Sequence, residues 1–410
     1  EQEKLTYPLT EIPARIASSG RQLLGPELLG NRLFWIGFGL AAALDLYNGF
    51  AHLYPAMPIV KVTARNIGET LVNYPWRAMG ATWISVYPFA IGLGYLMPQD
   101  FLFSCWFFYW FWKAEMVVTW MLGYQHGGMP YVSEQTFGAY AGIALFALWT
   151  GRRYFAGLLA GTITGRTPPD EARQALPYRV NLLILCAGLA GMLWFMTALL
   201  GADLMASALY LLIYFIMALA ITRMRAEFGL PVHDLFYGPL NLMVNIAGSS
   251  SLSDRSLIGL GQLYWMERFQ RSNPMPHGLE GLHLAQRREV PGPQTMLALA
   301  VAAVVATFAS FWATVQLAYT HGFVTPDTDS PYLALGAFSR AASWLRSPTE
   351  LHTGKAVAFG VGGALTVALL LLRQRYLWWP FHPVGYAASS MWFIGLLWLP
   401  LFLAWLIKGT

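Results

Sequence analysis

Eight polar side chains stand within or beside apolar runs, where their types and spacing can do chemistry. Asp45, Asn48 and His52 recur at intervals of three and four, which puts all three on one helix face. A carboxylate partway along an apolar helix costs several kcal/mol unless it is paired, protonated or wet. The triad therefore either serves as a solute or proton site, or ties two helices together by hydrogen bonds. Lys113 and Glu115 lie two residues apart, diverge by about 200° around a helix, and cannot pair with each other. Each needs a partner elsewhere, and Asp45 is the natural one for Lys113. Arg223, Arg225 and Glu227 close another apolar run. They can meet an anionic solute or a lipid headgroup, or simply stop the chain at a membrane face.

The elements that must position these groups follow from composition. Of 410 residues, 56% are hydrophobic and only 11% charged, against about 25% charged in soluble domains. Mean hydropathy is +0.45. So few charges cannot coat a water-facing surface of this size, and long apolar runs set the class as an all-α polytopic transmembrane bundle. A soluble enzyme and a nucleic-acid-binding domain are excluded, because basic residues in such a chain mainly set topology. Cys105 and Cys186 both lie in apolar runs, so no disulfide framework or thiolate metal site is expected.

A spanning helix needs roughly 20 apolar residues. Nine segments qualify: 33–54, 78–97, 101–123, 136–156, 180–200, 203–222, 294–320, 354–373 and 383–407. With residues 1–32 cytoplasmic, most Lys and Arg fall on the cytoplasmic side, which satisfies the positive-inside rule. The location expected is a bacterial inner membrane. The organisation expected is an N-terminal segment 1–32, six spans over 33–222, a cytoplasmic or re-entrant region 223–293, and three spans over 294–410.

Within 223–293, two apolar stretches (235–247 and 256–266) flank Gly248-Ser249-Ser250-Ser251, and each is too short to span. The region is either an amphipathic surface segment or a re-entrant, broken helix at 235–266. Non-helical backbone survives at membrane depth only where protein or a water-filled cavity surrounds it.

Other patterns carry less. From Phe101 to Trp112, nine of twelve residues are aromatic, suited to lipid or large packed partners. Tyr124–Gln135 reads as a polar loop broken by Gly127, Gly128 and Pro130. No two histidines share a helical face within a span, and HExxH, GxSxG and the phosphate-binding loop are all absent. No metal, cofactor or catalytic role is expected. Small-residue repeats at Gly138/Gly142, Gly157/Gly161/Gly165 and Ala356/Gly360/Ala364 mark close helix crossings.

Five stretches together resemble a known group: Glu3–Leu9, Asn31–Trp35, Phe103–Phe108, Arg223–Pro231 and Trp378–Tyr386. The first looks like the "KLxYP" entry segment of oligopeptide-transporter-like proteins. As a set they are similar to uncharacterised bacterial membrane proteins placed near the oligopeptide transporter superfamily. The resemblance implies a cation-coupled secondary carrier, with further spans upstream and final helices downstream of the residues present here.

The leading expectation is accordingly a secondary transporter for a small polar or anionic solute. Its substrate and ion pathway would run through Asp45, Asn48, His52, Lys113, Glu115, Arg223, Arg225 and Glu227. Its partners would be the lipid bilayer, the solute and a coupling cation, with a homo-oligomer or other membrane proteins also open. The rival is a non-catalytic accessory subunit of a respiratory or photosynthetic complex, suggested by 17 Trp, 20 Tyr and 25 Phe.

Overall fold

The computed structural model describes residues 5–18, 30–124, 128–165, 176–230, 233, 235, 238–268, 270–322, 330–376 and 378–409. Among the described residues the regular structure is helical but for one two-stranded sheet. In order, the helices are α1 (Glu11–Ser18), α2 (Arg32–Leu53), α3 (Pro88–Leu96), α4 (Gln99–Met121), α5 (Val132–Thr164) and α6 (Tyr178–Trp194). A π-helical turn, Phe195–Leu199, extends α6. Then come α7 (Leu204–Phe228), α8 (Pro239–Ala247), α9 (Asp254–Gly261), α10 (Tyr264–Arg268) and α11 (Pro274–Arg287). The last five are α12 (Gly292–His321), α13 (Ser330–Arg346), α14 (Thr353–Arg375), α15 (Pro383–Ser389) and α16 (Trp392–Gly409). Strands β1 (Arg65–Asn66) and β2 (Trp83–Ile84) pair antiparallel, Arg65 opposite Ile84.

Among the described residues, six helices are long and apolar enough to cross a membrane: α2, α6 with its π-turn, α7, α12, α14 and α16. The protein is a multi-pass helical membrane protein. The expected count of nine spans is not reached among the described residues. Segment 78–97 fails because β2 and Pro88 interrupt it, leaving the nine residues of α3, about 14 Å of helix. Segments 101–123 and 136–156 do form long helices, α4 and α5, but Lys113, Glu115, Arg152 and Arg153 make them more polar. Segment 383–407 is two helices, broken at Ser390 and Met391. A further helix, α13, occupies a stretch read from sequence as a loop.

The chain divides into two compact units. The first comprises Glu1–Pro130, Met224–Val232 and Leu372–Thr410. Here α4 packs on α15 and α16, and its aromatic residues face protein on that side. Trp112 stacks on Tyr386 at 4.8 Å and donates its Nε1 hydrogen to Ser389 Oγ at 2.7 Å. Segments that carried the family resemblance meet in this unit. The Tyr7 amide donates to Ala226 O at 2.9 Å, and Pro8 lies against Gly229. Gly229 has φ +67°, a conformation that disfavours any side chain. Phe228 in turn packs on Phe101 at 4.7 Å and on His382 at 4.2 Å. The His382 amide donates to Ser104 Oγ at 2.7 Å.

The second unit comprises Tyr131–Arg223 and His233–Leu371. Its apolar core joins Met196, Tyr210, Leu240, Met243, Leu257 and Leu260. The close approach of α5 and α14 is built on glycine. A β-carbon at Gly138 would fall 1.9 Å from Phe359 O, and one at Gly362 would fall 1.9 Å from Gln135 O. The sequence pattern placed Gly138 and Gly142 at such a crossing, and Gly142 also lies against α14. On α14 the glycine at this crossing is Gly362, whereas a β-carbon at Gly360 would meet nothing within 4 Å.

Candidate functional site

The break expected at Gly248–Ser251 is present, and its freed groups bond to residues of the second unit. Gly248 ends α8 at φ +85°, and Ser249–Ser251 form a single 3-10 turn. Ser253 then caps α9, accepting the Ser256 amide at 3.2 Å. The backbone groups freed by the break are bonded by one loop. Ser249 N donates to Thr349 Oγ1 at 3.0 Å, Ser250 N to Thr349 O at 3.1 Å, and His352 N to Ile246 O at 3.0 Å. Asp203 accepts the hydroxyls of Ser253 and of Ser256, the latter at 2.8 Å. Those two bonds hold the Asp203 carboxyl below the usual carboxylate range.

Between Gly238 and the break runs α8, buried over its first six residues and carrying just two polar side chains, Asn241 and Asn245. Their spacing of four aligns them on one face, and each meets a different charged cluster. Asn245 Nδ2 donates to Glu134 Oε1 at 3.0 Å, and its Oδ1 lies 3.4 Å from Lys355 Nζ. Glu134 and Lys355 are 4.0 Å apart, with the carboxylate almost fully buried. Beside them the Tyr131 ring meets His352 edge-on at 5.3 Å. The loop expected over Tyr124–Gln135 therefore ends at Tyr131, and Glu134 is a buried helical residue. Gln125, His126 and Gly127 lie outside the described residues.

At the other end of α8, Asn241 Oδ1 accepts from Arg340 Nη1 at 2.6 Å. The Arg340 guanidinium lies over the Tyr264 ring, 3.9 Å from its centroid, a cation–π contact. Gly336, one turn earlier on α13, makes room for that ring: a β-carbon there would sit 2.7 Å from Tyr264 Cε1. Three residues after Tyr264, and so on the same side of α10, is Glu267. Its carboxylate is 1% exposed and accepts the Leu240 amide at 3.3 Å. That amide belongs to the first turn of α8, where the helix dipole favours negative charge.

Burial pushes the Glu267 carboxyl up to about 7, with Arg340, the Leu240 amide and Tyr210 pulling the other way. The Tyr210 hydroxyl lies beside Glu267, close enough to act on it but outside strict hydrogen-bond geometry. The carboxyl thus sits near neutrality in its titration, beside an arginine and an asparagine that are bonded to each other.

The polar residues first singled out lie elsewhere. Asn48 clamps the chain after α2, donating to Val60 O at 3.1 Å and accepting from Val60 N at 2.9 Å. Asp45 and His52 are exposed on α2. Lys113 does not pair with Asp45. Its ammonium donates to Met79 O at 2.8 Å and to Ala81 O at 2.7 Å, holding the turn before β2. Glu115 is half-buried beside Tyr386. Arg223 precedes the last turn of α7, which carries Arg225 and Glu227; Arg225 is buried, and Glu227 O accepts the Thr6 hydroxyl at 2.6 Å.

Glu267, Arg340 and Lys355 were not singled out from sequence. The available signal was the pair Asn241/Asn245 at helical spacing inside an apolar stretch.

A family model covers residues 1–410. The chain belongs to DUF6785, a family of unknown function. No curated protein and no solved structure matches it.

Proposed function

We propose that this protein is a secondary carrier that moves a small polar or anionic solute coupled to a cation, the proton being the natural choice. The observation that carries this reading is Glu267, a buried carboxyl at the start of one half of a broken helix, poised to titrate near neutral pH. Broken helices in carriers offer N-terminal dipoles to anions and free carbonyls to cations. Here α8 and α9 form such a pair, and charged groups bond to both ends of α8. The resemblance to proteins near the oligopeptide transporter superfamily points the same way. On this reading the chain sits in a bacterial inner membrane with its N-terminus in the cytoplasm, and no catalytic step is involved.

The test uses purified protein in vesicles loaded with a pH-sensitive dye, with alanyl-alanine, acetate and phosphate added outside in turn. A carrier acidifies the lumen with at least one solute, and Glu267→Gln abolishes the response. Proton flux equal to that of empty vesicles with all three would overturn the reading for these solute classes.

A second reading, an accessory subunit of a larger membrane complex, is favoured by a separate observation. The apolar windows of α2 and α12 contain no buried residue, so both helices are open to lipid or to other chains. Gentle purification from the native membrane separates the readings: stoichiometric pigment- or haem-bearing partners support the subunit.

A further inference from the structure

The first turn of α8 has a construction that a fold-holding role does not require. Its dipole end points at a carboxylate borne by a different helix, α10. The second charged group there is a guanidinium already oriented by stacking on Tyr264 and by its bond to Asn241. Asn241 is 5% exposed, and although its Oδ1 is engaged by Arg340, its Nδ2 donates to nothing among the described residues. A buried amide left without an acceptor costs about 1–3 kcal/mol. It persists in the same helical turn that Glu267 caps. The Leu240 amide, the spare Asn241 carboxamide donor and the Arg340 guanidinium bonded to that carboxamide gather at the first turn of α8, and the bond Glu267 makes there is to the amide.

We propose that the N-terminus of α8 is a binding site for the carboxylate of a small anionic solute, and that Glu267 is a tethered stand-in occupying it in the structure shown here. This deepens the carrier reading and rests on it for the purpose of binding. When Glu267 takes up a proton, its claim on the Leu240 amide weakens and an external carboxylate replaces it. One proton and one monovalent anion then enter together, with no net charge carried into a buried site. Among the described residues, the charged and titratable groups that act on Glu267 are Arg340 from α13 and Tyr210 from α7. Arg340 does not take over the proton, because it stays cationic throughout.

Chemical rescue tests the site directly, because Glu267→Ala removes the equivalent of one acetate. The thermal unfolding midpoint of the full chain in detergent is followed against sodium acetate, with sodium chloride at equal ionic strength as reference. Three results are expected. Acetate raises the midpoint of Glu267→Ala saturably, with at least tenfold tighter apparent affinity than for the unaltered protein at about pH 8. The unaltered protein gains an acetate response at about pH 6. Adding Arg340→Gln to Glu267→Ala weakens acetate binding about tenfold.

An acetate response no larger than that to chloride, or one indifferent to Arg340→Gln, overturns the proposal. Should Glu267→Ala fail to fold, the comparison of pH 6 with pH 8 in the unaltered protein decides it alone. Acetate rescue without proton flux in vesicles would sustain the anion site and sink the carrier. Flux with no acetate binding in either variant would do the reverse.

Discussion

Glu267 lies so close to Gly238 that a β-carbon on the glycine would fall 2.1 Å from Oε2 and 2.3 Å from the Glu267 β-carbon. The glycine is extended, with φ −104° and ψ −179°, so backbone freedom is not what the position needs. It needs the space. Gly238→Ala must therefore push α10 away from the start of α8 or expel the carboxylate from it. Overpacking of this kind costs about 1–3 kcal/mol, which a lowered midpoint in detergent unfolding would register. The same variant should weaken the proton response in vesicles. Unchanged stability and unchanged flux would mean that the two helices are not joined as described.

The titration of Glu267 gives a pH dependence with a definite sign. The folded carboxyl titrates at about 7, against 4.5 when free of the fold. Between those values the folded chain keeps a proton that the unfolded chain has lost, so stability falls as pH rises from about 4.5 to 7. At 1.36 kcal/mol per unit the total is about 3 kcal/mol. Glu267→Gln, which cannot ionise, should flatten that fall and leave the protein more stable than the original at about pH 8. Unfolding midpoints at several pH values check it, and parallel curves for the two proteins would contradict it.

What was legible in the sequence and what was not divide along physical lines. Apolar length sets spans, so the boundaries of α2, α12 and α14 fall within about two residues of expectation. Interruption is local, so Gly248–Ser251 announced the broken helix. Pairing depends on tertiary contact, and there the reading failed. Lys113 bonds two backbone carbonyls in its own unit, a partner no side-chain pattern reveals. Arg340 lies on α13, outside every apolar run that the sequence displays, and only the folded chain brings it to Asn241. Glu267 looks in sequence like an ordinary polar end to an apolar stretch, and its burial is a property of α8 and α10 together.

The crossing of α5 and α14 allows a paired test with an internal control. Gly362→Ala would drive a β-carbon against Gln135 O at 1.9 Å, whereas Gly360→Ala meets nothing within 4 Å. Helix propensity alone favours alanine at either place by about 1 kcal/mol. Gly360→Ala should therefore leave the midpoint unchanged or raise it, and Gly362→Ala should lower it by about 1–3 kcal/mol. Equal responses at the two positions would show that α14 presents a different face to α5.

His382 supplies an acid-side dependence of opposite sign to that of Glu267. Burial, with Arg373 adding to it, holds the His382 imidazole well below its ordinary range, so it is neutral in the fold. That neutrality has a use: Nδ1 accepts the Val384 amide at 3.1 Å and caps α15, which a protonated ring could not do. The resulting stability is present above the unfolded histidine value, near 6.5, and is lost as pH falls below it, by up to about 1.4 kcal/mol per unit. Because Glu267 gains stability over the same interval, the two effects oppose each other in the unaltered protein. The effect of His382 is best read in a Glu267→Gln background. There, midpoints should fall between about pH 6.5 and 5, and adding His382→Asn should flatten the fall. Asparagine keeps an oxygen for the Val384 amide but loses the ring packed on Phe228, so the double variant should begin about 1–2 kcal/mol less stable at neutral pH. A double variant that falls as steeply as its parent would show that the acid-sensitive group lies elsewhere.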